Sequence, residues 1–139
     1  MEKRIIDTIL DLKSGCNSKI ESIQGRLKLS PVEFRGILTL EPGTIVPCKI
    51  LSKKMGLSIS RGSRAVEKLL KNGYLKEVKN SKDKRILNIT LADKGLKVRE
   101  KIYNSLEECE QKILKNIKKS EREHLMFSIH KITEILNSN

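Results

Sequence analysis

At both ends of this 139-residue chain, apolar residues recur every third or fourth position, a period that admits helices and little else. Near the N-terminus Ile5, Ile9, Leu12, Cys16, Ile20, Ile23 and Leu27 are spaced 4-3-4-4-3-4, which lines one helical face. Ser14-Gly15 interrupts the run, and a kink is expected there. Val98, Ile102, Leu106, Cys109, Ile113 and Ile117 follow the spacing 4-4-3-4-4, and Leu125, Ile129, Ile132 and Leu136 make a third stripe. Ser120 with Glu123 reads as a capping box ahead of that third stripe. None of the three carries a basic excess. A chain that spends about half its length this way is expected to pack these helices on each other or on a second copy. Residues 1–29 and 96–139 are therefore read as dimerisation helices, and the chain as a homodimer.

Composition enters through the charge. The chain is 37% hydrophobic and 33% charged, enough to bury a core, and with 3% aromatics and no Trp that core must be Ile, Leu and Val. Its net charge of +12 is unevenly spread. Residues 47–100 hold fifteen basic and five acidic side chains, whereas residues 1–46 and 101–139 each hold seven basic and six acidic. A merely lysine-rich composition would spread the excess along the chain; its concentration points to a polyanion-binding segment between near-neutral flanks. No apolar run approaches the ~18 residues of a membrane span. The opening MEKRIIDTILDLK lacks a signal-peptide core, so no membrane partner and a cytoplasmic location are expected. Cys16, Cys48 and Cys109 form no CxxC pair, and His124 and His130 lie about 240° apart around a helix. No metal or cofactor is expected. There is no Gly-rich phosphate loop, nucleophile elbow or His-carboxylate-Cys grouping, which argues against an enzyme.

The middle segment is punctuated. Ser30-Pro31 places an N-cap and a first-turn proline ahead of a helix through Leu40, and Glu41-Pro42-Gly43 ends it. Pro47 starts the short helix CKILSKKM, which stops at Gly56. Ser58 caps a further helix, SISRGSRAVEKLLKN, closed by Gly73. Two helices joined by a tight Gly-containing turn are a helix-turn-helix, whose second member enters the major groove. Ile50, Leu51, Met55, Leu57, Val66, Leu69 and Leu70 are expected to supply the contacts between them. Tyr74 to Lys79 then reads as a strand, Asn80 to Lys84 as a polar turn, and Leu87, Ile89 and Leu91 as the inward side of a second strand. A basic-tipped hairpin after a recognition helix is a wing. The fold class is mainly α with a small β-hairpin wing: one winged helix-turn-helix lobe, residues 30–95, flanked by the terminal helices.

Residues 30–95 resemble the DNA-binding domain of the MarR (multiple antibiotic resistance regulator) family. LSKKMGLSISRGSRAVEKLLKNGYL is similar to that family's recognition segment, and DKRILNITLADKG to its wing, an Asp-x-Arg followed by alternating apolar residues and a Gly. The resemblance implies a homodimeric, sequence-specific regulator of transcription, a repressor of a pseudo-palindromic double-stranded DNA operator that a small-molecule effector releases. It implies that Ser60, Arg61, Ser63 and Arg64, with the cap Ser58, face bases or nearby phosphates. An Arg fork can bond guanine O6 and N7 together, worth ~1–3 kcal/mol of discrimination. Lys68, Lys71, Lys82 and Lys84 would meet phosphates. Arg85 would enter the minor groove, oriented by Asp83 through a salt bridge. The family's effector pocket would be lined here by parts of the first helix and Phe34.

Two positions depart from the family pattern. Gly62 stands where a β-branched or apolar residue usually packs, leaving that helix either looser or closer to its neighbour. Ala92 replaces a capping Thr, for which Thr90 or Asp93 could substitute. Plainer readings stay beside the functional ones. Arg64 could pair with Glu67 or Glu77, and Asp83 with Arg85 could simply stabilise a turn. Cys16 is either a redox sensor, as in some relatives, or a small core residue on the apolar stripe. The rival class is a basic winged-helix module for RNA or protein. A binder of single-stranded RNA usually shows stacking aromatics, and this segment offers only Tyr74.

Overall fold

The structure, a computed structural model, describes residues 2–79 and 82–138, so the Asn80-Ser81 part of the expected turn lies outside the described residues. Its elements are α1 (Ile5–Leu27), α2 (Pro31–Thr39), β1 (Val46–Pro47), α3 (Cys48–Lys54), α4 (Ile59–Lys71), β2 (Leu75–Glu77), β3 (Asn88–Leu91), α5 (Asp93–Lys115) and α6 (Lys119–Asn137). The chain divides within α5 into two compact units, one ending at Ile102 and one beginning at Tyr103.

In the first unit the helix signals work as read. The Ser30 hydroxyl accepts from the Glu33 amide at 3.2 Å, and the Glu33 carboxylate accepts from the Ser30 amide at 3.2 Å, a closed capping box with Pro31 just inside. Gly73, at φ +79°, ends α4: its amide donates to the Leu70 carbonyl, and the Tyr74 amide to that of Leu69. A three-stranded antiparallel sheet runs in the order β1-β3-β2, with Val46 opposite Ile89 and Leu75 opposite Leu91. The strand β1 was not anticipated. Its Pro47 sits at the sheet edge, where a missing N–H costs no ladder bond. Ile37, Leu40, Leu51, Val66, Leu69 and Ile89 are fully buried and weld α2, α3, α4 and the sheet together.

Several expectations are corrected. Helix α1 continues as one helix through Ser14-Gly15, with open space where a Cβ on Gly15 would lie. Ile23 is its only buried residue. Cys16, which reads either as a redox sensor or as a small core residue on the apolar stripe, is exposed within the chain. Ile50 is likewise exposed rather than a contact between helices. The Thr90 hydroxyl donates to the Thr44 carbonyl at 2.6 Å and so does not cap α5.

The second unit comprises the remainder of α5 and helix α6. The Arg122 guanidinium donates to the Leu114 carbonyl at 3.0 Å, closing the turn between them. Helix α6 starts at Lys119 with Lys118 in the cap position, so Ser120 lies inside the helix and makes no capping box. No residue of α6 is buried, and Leu125, Ile129 and Leu136 stand exposed along its apolar stripe.

Candidate nucleic-acid interface

Helix α4 is sharply two-faced. Gly62, Ala65, Val66 and Leu69 turn inward, while every expected contact residue on it faces solvent. Gly62 resolves the question of close approach: a Cβ built there would lie 2.0 Å from Ser52 Oγ on α3, so only glycine lets α3 and α4 cross this tightly. The crossing fixes α4 against the lobe and leaves its opposite side free.

That free side begins at Ser58, whose hydroxyl accepts from the Arg61 amide at 3.3 Å and caps the helix. Arg61, Arg64, Lys68 and Lys71 follow at spacings of 3, 4 and 3, a basic stripe along one side. Among the described residues neither Arg61 nor Arg64 is ion-paired, so the alternative of an Arg64 pair with Glu67 or Glu77 is not formed. Their guanidinium forks stay open to an external acceptor. Ser60 and Ser63 lie exposed beside them.

Lys68 differs from its neighbours. Its ammonium lies 3.7 Å from Glu33 Oε1, so part of its charge is turned inward instead of being held ready for phosphate. Glu33 is buried and also accepts from the Asn72 side-chain amide at 3.0 Å. Burial pushes its carboxyl up, but the hydrogen bonds from Asn72 and Ser30 and the Lys68 charge outweigh that and hold it below its ordinary value. This polar knot ties the start of α2 to the end of α4.

At the wing, Lys82, Asp83, Lys84 and Arg85 are all exposed. Asp83 Oδ1 accepts from the backbone amide of Arg85 at 3.0 Å, an Asx-type turn. The expected salt bridge between the two side chains is not formed among the described residues, because the carboxylate is turned to the backbone. Asp83 thus shapes the loop that carries Arg85 and leaves the guanidinium outward. Tyr74 is buried, with the Lys94 ammonium 4.5 Å from its ring centroid, and offers no face for a base to stack on.

Sequence reasoning missed two residues of this surface, Lys49 and Ile59, both exposed beside the start of α4. The excess of lysine near Pro47 was the signal for the first; an isoleucine in the first turn of a recognition helix was the signal for the second. Away from the basic face, a groove of about 430 Å³ lies between α1 and α2, lined by Ile20, Gln24, Phe34, Arg35 and Leu38 among others. Cys48 is half-buried, which pushes its thiol up and disfavours thiolate. No group of three or more His, Cys, Asp or Glu among the described residues is arranged to hold a metal. No described helix is long and apolar enough to cross a membrane.

No family model matches the chain. The helix-turn-helix-type transcriptional regulator BilQ of Clostridium symbiosum (strain WAL-14163) is 34% identical over 70 residues, 50% of this chain and 49% of BilQ. The match thus spans about half the length of that curated relative. Among solved structures, a MarR protein from Peptoclostridium difficile DA00132 superposes with a TM-score of 0.74 at 22% identity, covering 98% of this chain and 89% of its own. NadR in complex with 4-hydroxyphenylacetate gives 0.71 at 17% identity, covering 99% and 96%. Likeness at such identities establishes the fold.

Proposed function

We propose that this chain, which has the winged-helix fold of the MarR regulators, is a sequence-specific double-stranded DNA-binding regulator of transcription. The observation that carries the reading is the exposed face of α4, where two unpaired guanidinium groups, Arg61 and Arg64, stand beside Ser60 and Ser63 on a helix fixed from behind by Gly62. A helix held that way can present side chains to base edges in a major groove, with Lys71, Lys82 and Lys84 on the phosphates and Arg85 at the adjoining minor groove. The buried ring of Tyr74 weighs against a stacking RNA binder.

The protein acts as a homodimer, residues 1–29 and 96–139 providing the contact between copies. The exposed stripes of α1 and α6 support this, since apolar surface in such lengths is ordinarily covered. Two-fold symmetry in the protein calls for a pseudo-palindromic operator. It represses by occupying that operator in the cytoplasm. A small effector releases it by changing the spacing of the two lobes. The groove between α1 and α2 is its site, with Phe34 and Leu38 for an apolar body and Arg35 for an acidic group. NadR was solved with 4-hydroxyphenylacetate, an acid of that shape.

Selection of bound duplexes from a random pool tests the reading. A motif with two-fold symmetry and half-sites about one helical turn apart is the expected product. A pool that shows no enrichment would remove the sequence-specific regulator and leave a basic binding module.

A further inference from the structure

Beside the start of α4 the basic face contains an apolar hollow. Ile50, Ile59, Ile86 and Leu87, with Lys49 and Arg85, line a groove of about 620 Å³ between α3, the first turn of α4 and the segment entering β3. Ile59 is 70% exposed, Ile50 42% and Ile86 45%. One exposed isoleucine on a surface is ordinary; three gathered in one concavity mark a contact. Ile59 is the first residue of α4, directly after the capping Ser58, and a helical side chain leans toward the N-terminal end of its helix. It therefore covers the leading tip of the element whose N-terminal residues meet base edges in a helix-turn-helix.

The occupant of this hollow must be apolar at the floor and anionic at the rim, because the Lys49 ammonium flanks the isoleucines. The major groove of a duplex answers both demands. Phosphates border it, and within it the thymine C5-methyl is the apolar group that a base pair presents. We propose that Ile59 is a specificity-determining residue whose side chain packs against the C5-methyl of a thymine in each half-site. The proposal rests on the duplex-binding reading above and adds a base identity to it. Ile50 and Ile86 wall the methyl off from water, while Arg61 and Arg64 read or anchor neighbouring positions.

The experiment uses the full chain and duplexes selected from a random pool. Each thymine of the preferred duplex is replaced in turn by deoxyuridine, which removes the methyl and leaves every hydrogen-bonding group in place. One position per half-site should then weaken binding by about four-fold, the weight of a single buried methyl group. In Ile59→Ala the thymine and uracil duplexes should bind alike, with the salt slope unchanged, because no phosphate contact is lost. Ile59→Val, which keeps part of the branched surface, should retain part of the preference. Exposure of Ile59 means that thermal unfolding of the alanine variant should match wild type. A preferred duplex with no uracil-sensitive position would overturn the proposal, and that is also the outcome if a small apolar ligand occupies the hollow. A uracil penalty that persists in Ile59→Ala would overturn it too, assigning the methyl to another residue. A pool that yields no preferred duplex has a different meaning: it removes the regulator reading and this proposal together.

Discussion

Helices α4 and α6 are both amphipathic, yet they leave opposite kinds of surface in solvent. Helix α4 buries Ala65, Val66 and Leu69 and exposes Arg61, Arg64 and Lys71. Helix α6 buries nothing within the chain and exposes Leu125, Ile129 and Leu136. The first arrangement is complete in one copy and offers charge outward. The second is unfinished in one copy, since its apolar stripe gains only when something apolar covers it. Amphipathicity alone does not distinguish the two helices; which face remains exposed is the ground for proposing a polyanion at α4 and a second copy at α6.

The largest expected effect breaks the α6 side of this contrast. Wild type should sediment at about twice 15.8 kDa at micromolar concentration. Leu125→Asp combined with Ile129→Asp should sediment as a single copy, because each unpaired carboxylate buried at the contact costs several kcal/mol. Operator binding should fall with it. A wild-type protein that is monomeric at that concentration would mean that the stripe is covered by something other than a second copy.

Next comes the buried side of α4. Gly62→Ala gains about 1 kcal/mol of helix propensity, but its methyl would meet Ser52 Oγ at 2.0 Å and Cβ at 2.2 Å. Overpacking of this kind costs ~1–3 kcal/mol. The net expectation is lower stability by denaturant unfolding, with Gly62→Val worse than Gly62→Ala. A stabilised alanine variant would show that α3 can move away and that the crossing does not fix α4.

A smaller effect concerns the polar knot beneath α4. Glu33 has its carboxyl held below the ordinary value of 4.5. A group lowered in this direction adds stability that is present above its unfolded value and lost as the pH falls through its folded value. The stability gap between wild type and Glu33→Gln should therefore be full at neutral pH and shrink as the pH drops below the ordinary carboxylate range. A gap that stays constant across that range would mean that the ionised carboxylate, as opposed to its shape, contributes nothing.

Much of the lobe was legible because its punctuation acts locally. Ser30, Pro31, Ser58 and Gly73 each do in the structure what their chemistry dictates over one or two turns. What escaped depends on contacts distant in sequence. Strand β1 is two residues long, too short to show a period, and exists only because β3 pairs with it. Lys68 read as one more phosphate contact, but its charge meets Glu33 thirty-five positions away in the chain. The α6 cap was misplaced because Ser120 with Glu123 fits the pattern in sequence, while the helix starts one residue earlier. At the wing, the Asp83 and Arg85 pairing was implied as side chain to side chain, whereas the carboxylate is satisfied by the nearer backbone amide. On α4 the sequence marked the cationic residues and passed over Ile59, since a single apolar residue on an exposed face carries no periodic signal.

The central claim is that the exposed face of α4 reads sequence instead of merely attracting polyanions. It is tested most directly by comparing Arg64→Ala and Lys71→Ala on the preferred duplex and on a scrambled one, at two or more salt concentrations. Arg64→Ala should cost ~1–3 kcal/mol on the preferred duplex and much less on the scrambled one. Lys71→Ala should weaken both by similar factors and lower the salt slope by about one unit per half-site. Losses that are equal for the two variants and blind to sequence would contradict the account.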